Sequence, residues 1–327
     1  MIHLLYNFLS YPFVALRNQL YNQGFIKPIK TNIPIISVGN ISFGGTGKTP
    51  FITYLTNKLN ELGIKSLLLS RGYKGSLKDV DVLSDVDSFD DLYKFGDEAF
   101  LVHLKTNIPI LIAKKKYKAA NLIDNLFDVN VVILDDGFQH RKLQRNLDIV
   151  LIDLRTFKTF RREPFSSIKR ANIILLEDGI SPTRIPSGPY KIFYYRKVIN
   201  GFESFLNTKV ELKSFSGQKI ALLSAIGNND NFYKSLQLFS LIIVKHYQFR
   251  DHHWYTQKEV IKICEKLTKL NIHTLITTEK DSIKLRRFTQ IFEKFNVNLI
   301  SAVLELKIEE ENALLETVLA YINSKVR

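Results

Sequence analysis

Residues 33–50, IPIISVGNISFGGTGKTP, constrain what this chain can fold into more than any other stretch. A short apolar run enters a glycine-rich turn, passes Gly47-Lys48-Thr49, and continues into a helical pattern. Strand, flexible turn and helix start in that order form the context in which a P-loop is credible. Glycines let successive backbone N–H groups converge on phosphate oxygens, and the helix N-terminus adds partial positive charge. The cradle is expected at Gly44, Gly45, Thr46, Gly47, Lys48 and Thr49. Lys48 would reach the β- and γ-phosphates, and the Thr49 hydroxyl would ligate Mg²⁺. The general pattern asks for glycine at position 42, where this chain has Ser42; Gly44 and Gly45 are expected to supply the flexibility.

A P-loop requires a sheet behind it, and the rest of the chain supplies one. Apolar runs recur at 33–39, 66–72, 108–113, 130–136, 148–153 and 172–177. They are continuous rather than alternating, as strands covered on both faces are. Helical patterns lie between several of them, which argues for a doubly wound, mostly parallel α/β sheet. A second series follows at 219–227, 241–249, 273–281 and 298–306, with a closing helix near 308–325. The expected division is a P-loop kinase-type domain over 1–185, a linker over 186–215 with a hairpin turning at Asn200-Gly201, and a smaller α/β domain over 216–327.

Several further segments carry candidate chemistry. VVILDDGFQH ends an apolar run on Asp135-Asp136, the form of a Walker B strand end whose carboxylates hold Mg²⁺. SRGYKG places Arg71 at a strand's carboxyl end, either as a phosphate-neutralising cation or as a solvated turn arginine. FGDEAF opens a helix on Asp97 and Glu98, which alone could be no more than dipole partners. FRDHHWY offers Asp251, His252 and His253; adjacent histidines point apart and make a poor metal pair, but one beside a carboxylate could form a base-orienting dyad.

The formal net charge is +14, which favours anionic partners such as a phosphorylated substrate, a membrane face or nucleic acid. The basic residues are spread along the chain with only local runs such as 114–116, so a nucleic-acid-binding ATPase is disfavoured. With Cys264 as the one cysteine there is no disulfide framework. The first stretch is broken by His3, Asn7, Ser10, Pro12 and Arg17, so it lacks the roughly 18 apolar residues of a membrane span. It also lacks a signal peptide's basic start and cleavage site. Leu5, Phe8, Leu9, Phe13, Leu16 and Leu20 nonetheless fall near one helical face, suiting either a helix packed on its own domain or one lying in a membrane interface.

Together the motifs resemble the tetraacyldisaccharide 4'-kinase family, over nearly the whole chain. The resemblance rests on PIISVGNISFGGTGKTP, LLSRGYKG, the GDE of GDEAF, ILDDGFQH, the REP and RA of RREPFSSIKRANIILL, FRDHHWY and TTEKD. It implies an ATP- and Mg²⁺-dependent kinase acting on the 4'-hydroxyl of a tetraacylated glucosamine disaccharide 1-phosphate in lipid A biosynthesis. It also implies peripheral attachment to the cytoplasmic face of the inner membrane through an amphipathic helix over about 1–24, with neither nucleic acid nor an obligate protein as partner. By the same resemblance Asp97 is the catalytic base, His252 its partner, and Lys48 and Arg71 act on phosphates. Asp135 and Asp136 associate with metal, and Gln139, His140, Glu163 and Arg170 place substrate or nucleotide. Two departures stand out: Ala99 replaces the usual proline after GDE, and the segment before Arg162 is short and basic. The rival reading, a P-loop GTPase or metal-insertion chaperone, wants an Asn-Lys-x-Asp motif, whose spacing TTEKD does not supply.

Overall fold

The structure is a computed structural model and describes residues 2–42, 45–77, 79–84, 89–158, 161–204 and 208–324. Helix α1 (Ile2–Asn22) precedes a first block of strands: β1 (Ile35–Gly39), β2 (Ser66–Ser70), β3 (Val80–Leu83), β4 (Ile110–Ala113), β5 (Val131–Asp135), β6 (Leu147–Ile152) and β7 (Ile173–Glu177). Between them run α2 (Lys48–Glu61), α3 (Phe89–Phe95), α4 (Asp97–Thr106) and α5 (Ala120–Leu126). The strands are ordered β7-β6-β1-β5-β2-β4-β3 and are parallel except for β3 at the edge. β1 and β2 are buried at every position, which is why their sequences read as unbroken apolar runs.

The second block holds β10 (Lys219–Ser224), α6 (Asn229–Gln237), β11 (Ile242–Gln248), α7 (Gln257–Lys269), β12 (Thr274–Thr278), α8 (Glu279–Leu285), α9 (Thr289–Lys294), β13 (Asn298–Ile308) and α10 (Glu311–Asn323). Its strands run in parallel in the order β11-β10-β12-β13. Cys264 is a fully buried core residue of α7, and the α7 N-terminus is closed by a capping box between Thr256 and Glu259.

The two blocks share one sheet. Strand β8 (Lys191–Ser204) pairs in parallel with β7 through Lys191–Tyr195, then antiparallel with β13 from Tyr195 to Ser204. The expected turn at Asn200-Gly201 is therefore not where the chain reverses. Val303 faces Gly201 and Leu304 faces Ile199, so Asn200 is an extra residue, a bulge within the strand. The reversal comes after Ser204, where β9 (Lys209–Val210) folds back on β8. An Asn-Gly pair suits a bulge as well as a turn, and the pairing with β13 on either side decides which it becomes.

The register fixes where the blocks face each other. β12 pairs with the first half of β13, ending at Thr278 opposite Ala302, while Ile308 at the far end of β13 lies opposite Tyr195. Tyr195 in turn faces Glu177, the carboxyl end of β7. The carboxyl ends of both parallel blocks thus point at one another, and open α/β sheets collect ligands at those ends. Helix α10 follows β13 back to the first block: Leu314, Val318 and Ile322 sit in one apolar cluster with Ile36, Phe51 and Leu151.

Candidate active site

Strand β1 delivers the chain to the P-loop. Asn40 donates its side-chain amide to Thr46 Oγ1 at 3.0 Å, and the Tyr195 hydroxyl donates to the Thr46 carbonyl at 3.0 Å. Gly47 adopts φ 98°, a left-handed conformation that turns the loop directly into α2 and that a side chain would strain. Ser42, in place of the expected glycine, is fully buried and turns its hydroxyl toward Thr156 Oγ1 at 3.4 Å, so its side chain is taken up by the core. Gly44 lies outside the described residues, while Gly45, Thr46, Gly47, Lys48 and Thr49 all border the cleft.

Strand β5 lies beside β1 and carries the aspartate pair to the same place. Lys48 Nζ stands 3.6 Å from Asp136 Oδ1, and Arg162 bonds Asp136 Oδ2. Asp136 adopts φ 48°, which aspartate tolerates better than most residues. Burial alone would raise its carboxyl, but Lys48 and Arg162 outweigh that and hold it at about 2. Asp135 behaves oppositely: burial pushes it up, and Ser70 donates to its Oδ2 at 2.9 Å. Lys116, missed in the sequence as part of a basic run, is buried in the short turn that follows β4, contacts the Asp135 carbonyl and has its ammonium pushed down by burial.

These donors fit a Mg²⁺ ion. Asp136 Oδ1 is buried with no hydrogen-bond partner, and Thr49 and Asp135 border the same cleft. Among the described residues no group of three or more His, Cys, Asp or Glu is arranged to hold a metal ion by itself. Mg²⁺ does not require one, since it takes one or two carboxylates and completes its shell with water and phosphate oxygens.

On the opposite wall Asp97 and His252 meet, from α4 and the β11–α7 loop. His252 Nδ1 lies 2.9 Å from both Asp97 oxygens. The Asp97 side chain is 4% exposed, the His252 side chain 10%. Burial would raise Asp97, but His252, Lys280 and Lys284 outweigh it and hold the carboxyl at about 2. An ionised carboxylate only accepts, so Nδ1 carries the hydrogen and a neutral ring keeps its lone pair on Nε2. Gly96 makes the approach possible: it has φ 91°, and a Cβ there would meet the Tyr73 carbonyl at 2.6 Å. His252 itself has φ 59° and rests edge-on to Tyr73 at 5.2 Å. His253 points elsewhere, to Glu259 at 3.1 Å.

The P-loop wall and the His252 wall enclose one cleft of about 1600 Å³, bordered also by Arg71, Gln139, His140 and Lys280. Asp97 does not border it; His252 stands between. Gln139 is fixed by donating to the Asn40 carbonyl at 2.8 Å, and burial with nearby cations lowers His140 to about 4. Glu163 and Arg170, grouped with these from the sequence, lie off the cleft. Glu163 is fully buried, bonded to Arg170, to Arg17 at 3.1 Å and to Asn18 at 3.2 Å, and so fastens α1.

A family model described as tetraacyldisaccharide-1-P 4'-kinase matches residues 3–323. The tetraacyldisaccharide 4'-kinase of Halothermothrix orenii is 32% identical over 330 residues, covering 90% of this chain and 86% of its own. That of Aquifex aeolicus is 31% identical over 309 residues, covering 90% and 93%. The crystal structure of LpxK from Aquifex aeolicus in complex with ATP matches with a TM-score of 0.79 at 27% identity, covering 98% of this chain and 100% of that one. Similarity of this extent takes in both strand blocks and the strand that joins them, and the chain belongs to the tetraacyldisaccharide 4'-kinase family.

Proposed function

We propose that the protein transfers the γ-phosphoryl group of ATP to the 4'-hydroxyl of a tetraacylated glucosamine disaccharide 1-phosphate. The observation that carries this reading is the opposition of two unlike walls across one cleft: Lys48 with the aspartate pair on one, the Asp97–His252 pair on the other. The first wall suits a triphosphate and the second a hydroxyl that must lose its proton. Thr49, Asp135 and Asp136 would hold Mg²⁺, which would offset charge on the β- and γ-phosphates. Lys48 and Arg71 neutralise charge that develops on the transferring group.

Because His252 stands between Asp97 and the cleft, we assign proton uptake to the pair with Nε2 as the receiving atom. The hydroxyl O–H bond breaks to Nε2 as its oxygen bonds phosphorus and the bond from phosphorus to ADP opens. Asp97 fixes the tautomer and stabilises the resulting imidazolium. This differs from the role that the resemblance implied, with Asp97 itself as base, and burial supports the change.

We further propose that α1 holds the protein on a membrane surface. Phe13 is 76% exposed and Leu16 57%, and Phe25 beyond the helix is 75% exposed. No described helix is long and apolar enough to cross a membrane. Transfer of radiolabelled phosphate from ATP to a disaccharide 1-phosphate lipid in detergent tests the assignment; ATP hydrolysis without lipid labelling would reject it.

A further inference from the structure

The TTEKD segment (277–281) ends β12 and begins α8, and its charged residues turn toward the first block. Glu279 pairs with Lys105, and Lys280 with Glu98, both on α4. Asp281 goes deeper. It is fully buried; its Oδ2 accepts from the Thr278 hydroxyl at 2.7 Å and from the Ala225 N–H at 2.9 Å. Its Oδ1 lies 3.0 Å from Lys284 Nζ, and Lys284, whose side chain is 1% exposed, reaches 3.5 Å from Asp97 Oδ2. The circuit closes through the backbone, since the His252 N–H donates to the Ala225 carbonyl at 3.0 Å. One ring of contacts therefore runs from Asp97 to Lys284, Asp281, Ala225, His252 and back.

A buried ammonium needs a reason, because desolvating it is costly unless nearby charge compensates. Lys284 has two carboxylates in reach and no aligned hydrogen bond to either. It acts on both as a point charge. Other charges also face His252. Its own loop offers Asp251, whose Oδ1 is 3.7 Å from Nε2. Helix α4 offers Glu98, α8 offers Lys280, and the loop after β2 offers Lys74, which donates to the Asp251 carbonyl at 3.1 Å. On the inner side, Asp97, Glu98 and Asp281 stand against Lys280 and Lys284, so the group is one positive charge short while the imidazole is neutral. Gaining a proton at His252 completes the balance.

We infer that Asp281 and Lys284 are positioning residues that hold the Asp97–His252 pair in place and set the proton affinity with which it meets the acceptor hydroxyl. The inference rests on the pair being the proton acceptor. Because the pair must be free of that proton to act, activity rises with pH through its apparent midpoint. Removing the Lys284 charge favours protonation, so Lys284→Met moves the acid limb of the kcat–pH profile upward by roughly one unit. Removing the Asp281 charge does the reverse, so Asp281→Asn moves it downward by a similar amount, roughly one unit. Lys284→Arg retains the charge and the wild-type midpoint. Opposite displacements from two neighbouring variants are something that loosened packing does not produce.

The experiment is the kcat–pH profile of the full chain and these three variants, with thermal unfolding measured alongside. Folded variants whose midpoints all stay within about 0.3 unit of wild type overturn the inference. If Lys284→Met fails to fold, Asp281→Asn decides alone: a downward displacement supports the field, an unmoved midpoint refutes it. Failure of the underlying reading looks different, since Asp97→Ala and His252→Ala would then keep near wild-type kcat.

Discussion

Lys48 faces both the protein's own carboxylate and the space in which phosphate would lie, with Asp136 Oδ1 at 3.6 Å. Truncating it removes a cation aimed at developing charge, so Lys48→Ala should lower kcat on the order of 10²-fold or more. Initial rates at saturating ATP check this, and a loss of only a few-fold would remove the P-loop from the mechanism. Across the cleft, Asp97 and His252 form one unit through Nδ1 at 2.9 Å. Groups that act together are non-additive, so the double alanine variant should be little worse than the poorer single one, with the effect in kcat rather than KM. Additive losses would dissolve the pair. The DHH motif could not say which histidine mattered. His252 takes a left-handed backbone conformation that turns it to Asp97, whereas His253 joins the capping box of α7 at Glu259. Lys284 gave no signal, since a lysine three residues after an acid reads as an exposed helical pair.

Among the elements, α1 shows the limits of periodicity most clearly. An apolar stripe fits a packed helix and an interfacial one equally well. The structure supports both in part: Asn18 is buried, Arg17 and Asn18 anchor on Glu163, and Arg141 donates to the Asn18 carbonyl at 2.8 Å. Phe13 and Leu16 are meanwhile left out. Leu5, Phe8 and Leu9 of the stripe lie where side chains are outside the described residues. The helix is thus held at its C-terminal half and offers apolar side chains further back. Each such side chain contributes about 1.5–3 kcal/mol when buried. Phe13→Ser with Leu16→Ser should therefore weaken binding to anionic vesicles at least about tenfold while leaving the thermal midpoint nearly unchanged. Vesicle co-sedimentation with parallel calorimetry checks it; a large drop in the midpoint with undiminished binding would make these residues part of the core.

At the scale of the whole molecule, buried charges should make stability depend on pH. His140 is lowered from 6.5 to about 4, mainly by burial and then by neighbouring cations. Between those values the unfolded chain binds the proton and the folded one does not, so stability rises with pH across that window. The loss on acidification should begin near pH 6.5 and deepen toward pH 4. Asp97 and Asp136, each held at about 2 against an ordinary 3.8, add a further loss as pH falls from 3.8 toward 2. Denaturant midpoints measured from pH 7 downward check the sign, and His140→Gln should flatten the limb above pH 4. Unchanged curves for that variant would show that His140 takes up its proton freely in the fold. Ionic contacts also tie the blocks together: the partly buried pairs Lys105–Glu279 and Lys280–Glu98, and the buried pair Asp97–His252.

By itself the sequence determined the strand–loop–helix at Lys48 and the repeated fully covered strands, and it singled out Lys48, Asp136, Asp97 and His252 as candidates. Each of these depends on a short contiguous stretch whose backbone demands or apolar pattern can be read locally. Only the tertiary structure decided that β8 and β13 weld two parallel blocks into one sheet with their carboxyl ends opposed. Only it placed His252 in front of Asp97, and Glu163 against Arg17 and Asn18 of α1 rather than in the cleft. Strand partners, register and the face a carboxylate presents arise from competition among contacts between residues far apart in the chain. The Asp97–His252 bond spans 155 positions, and nothing within reach of either residue along the backbone specifies the other.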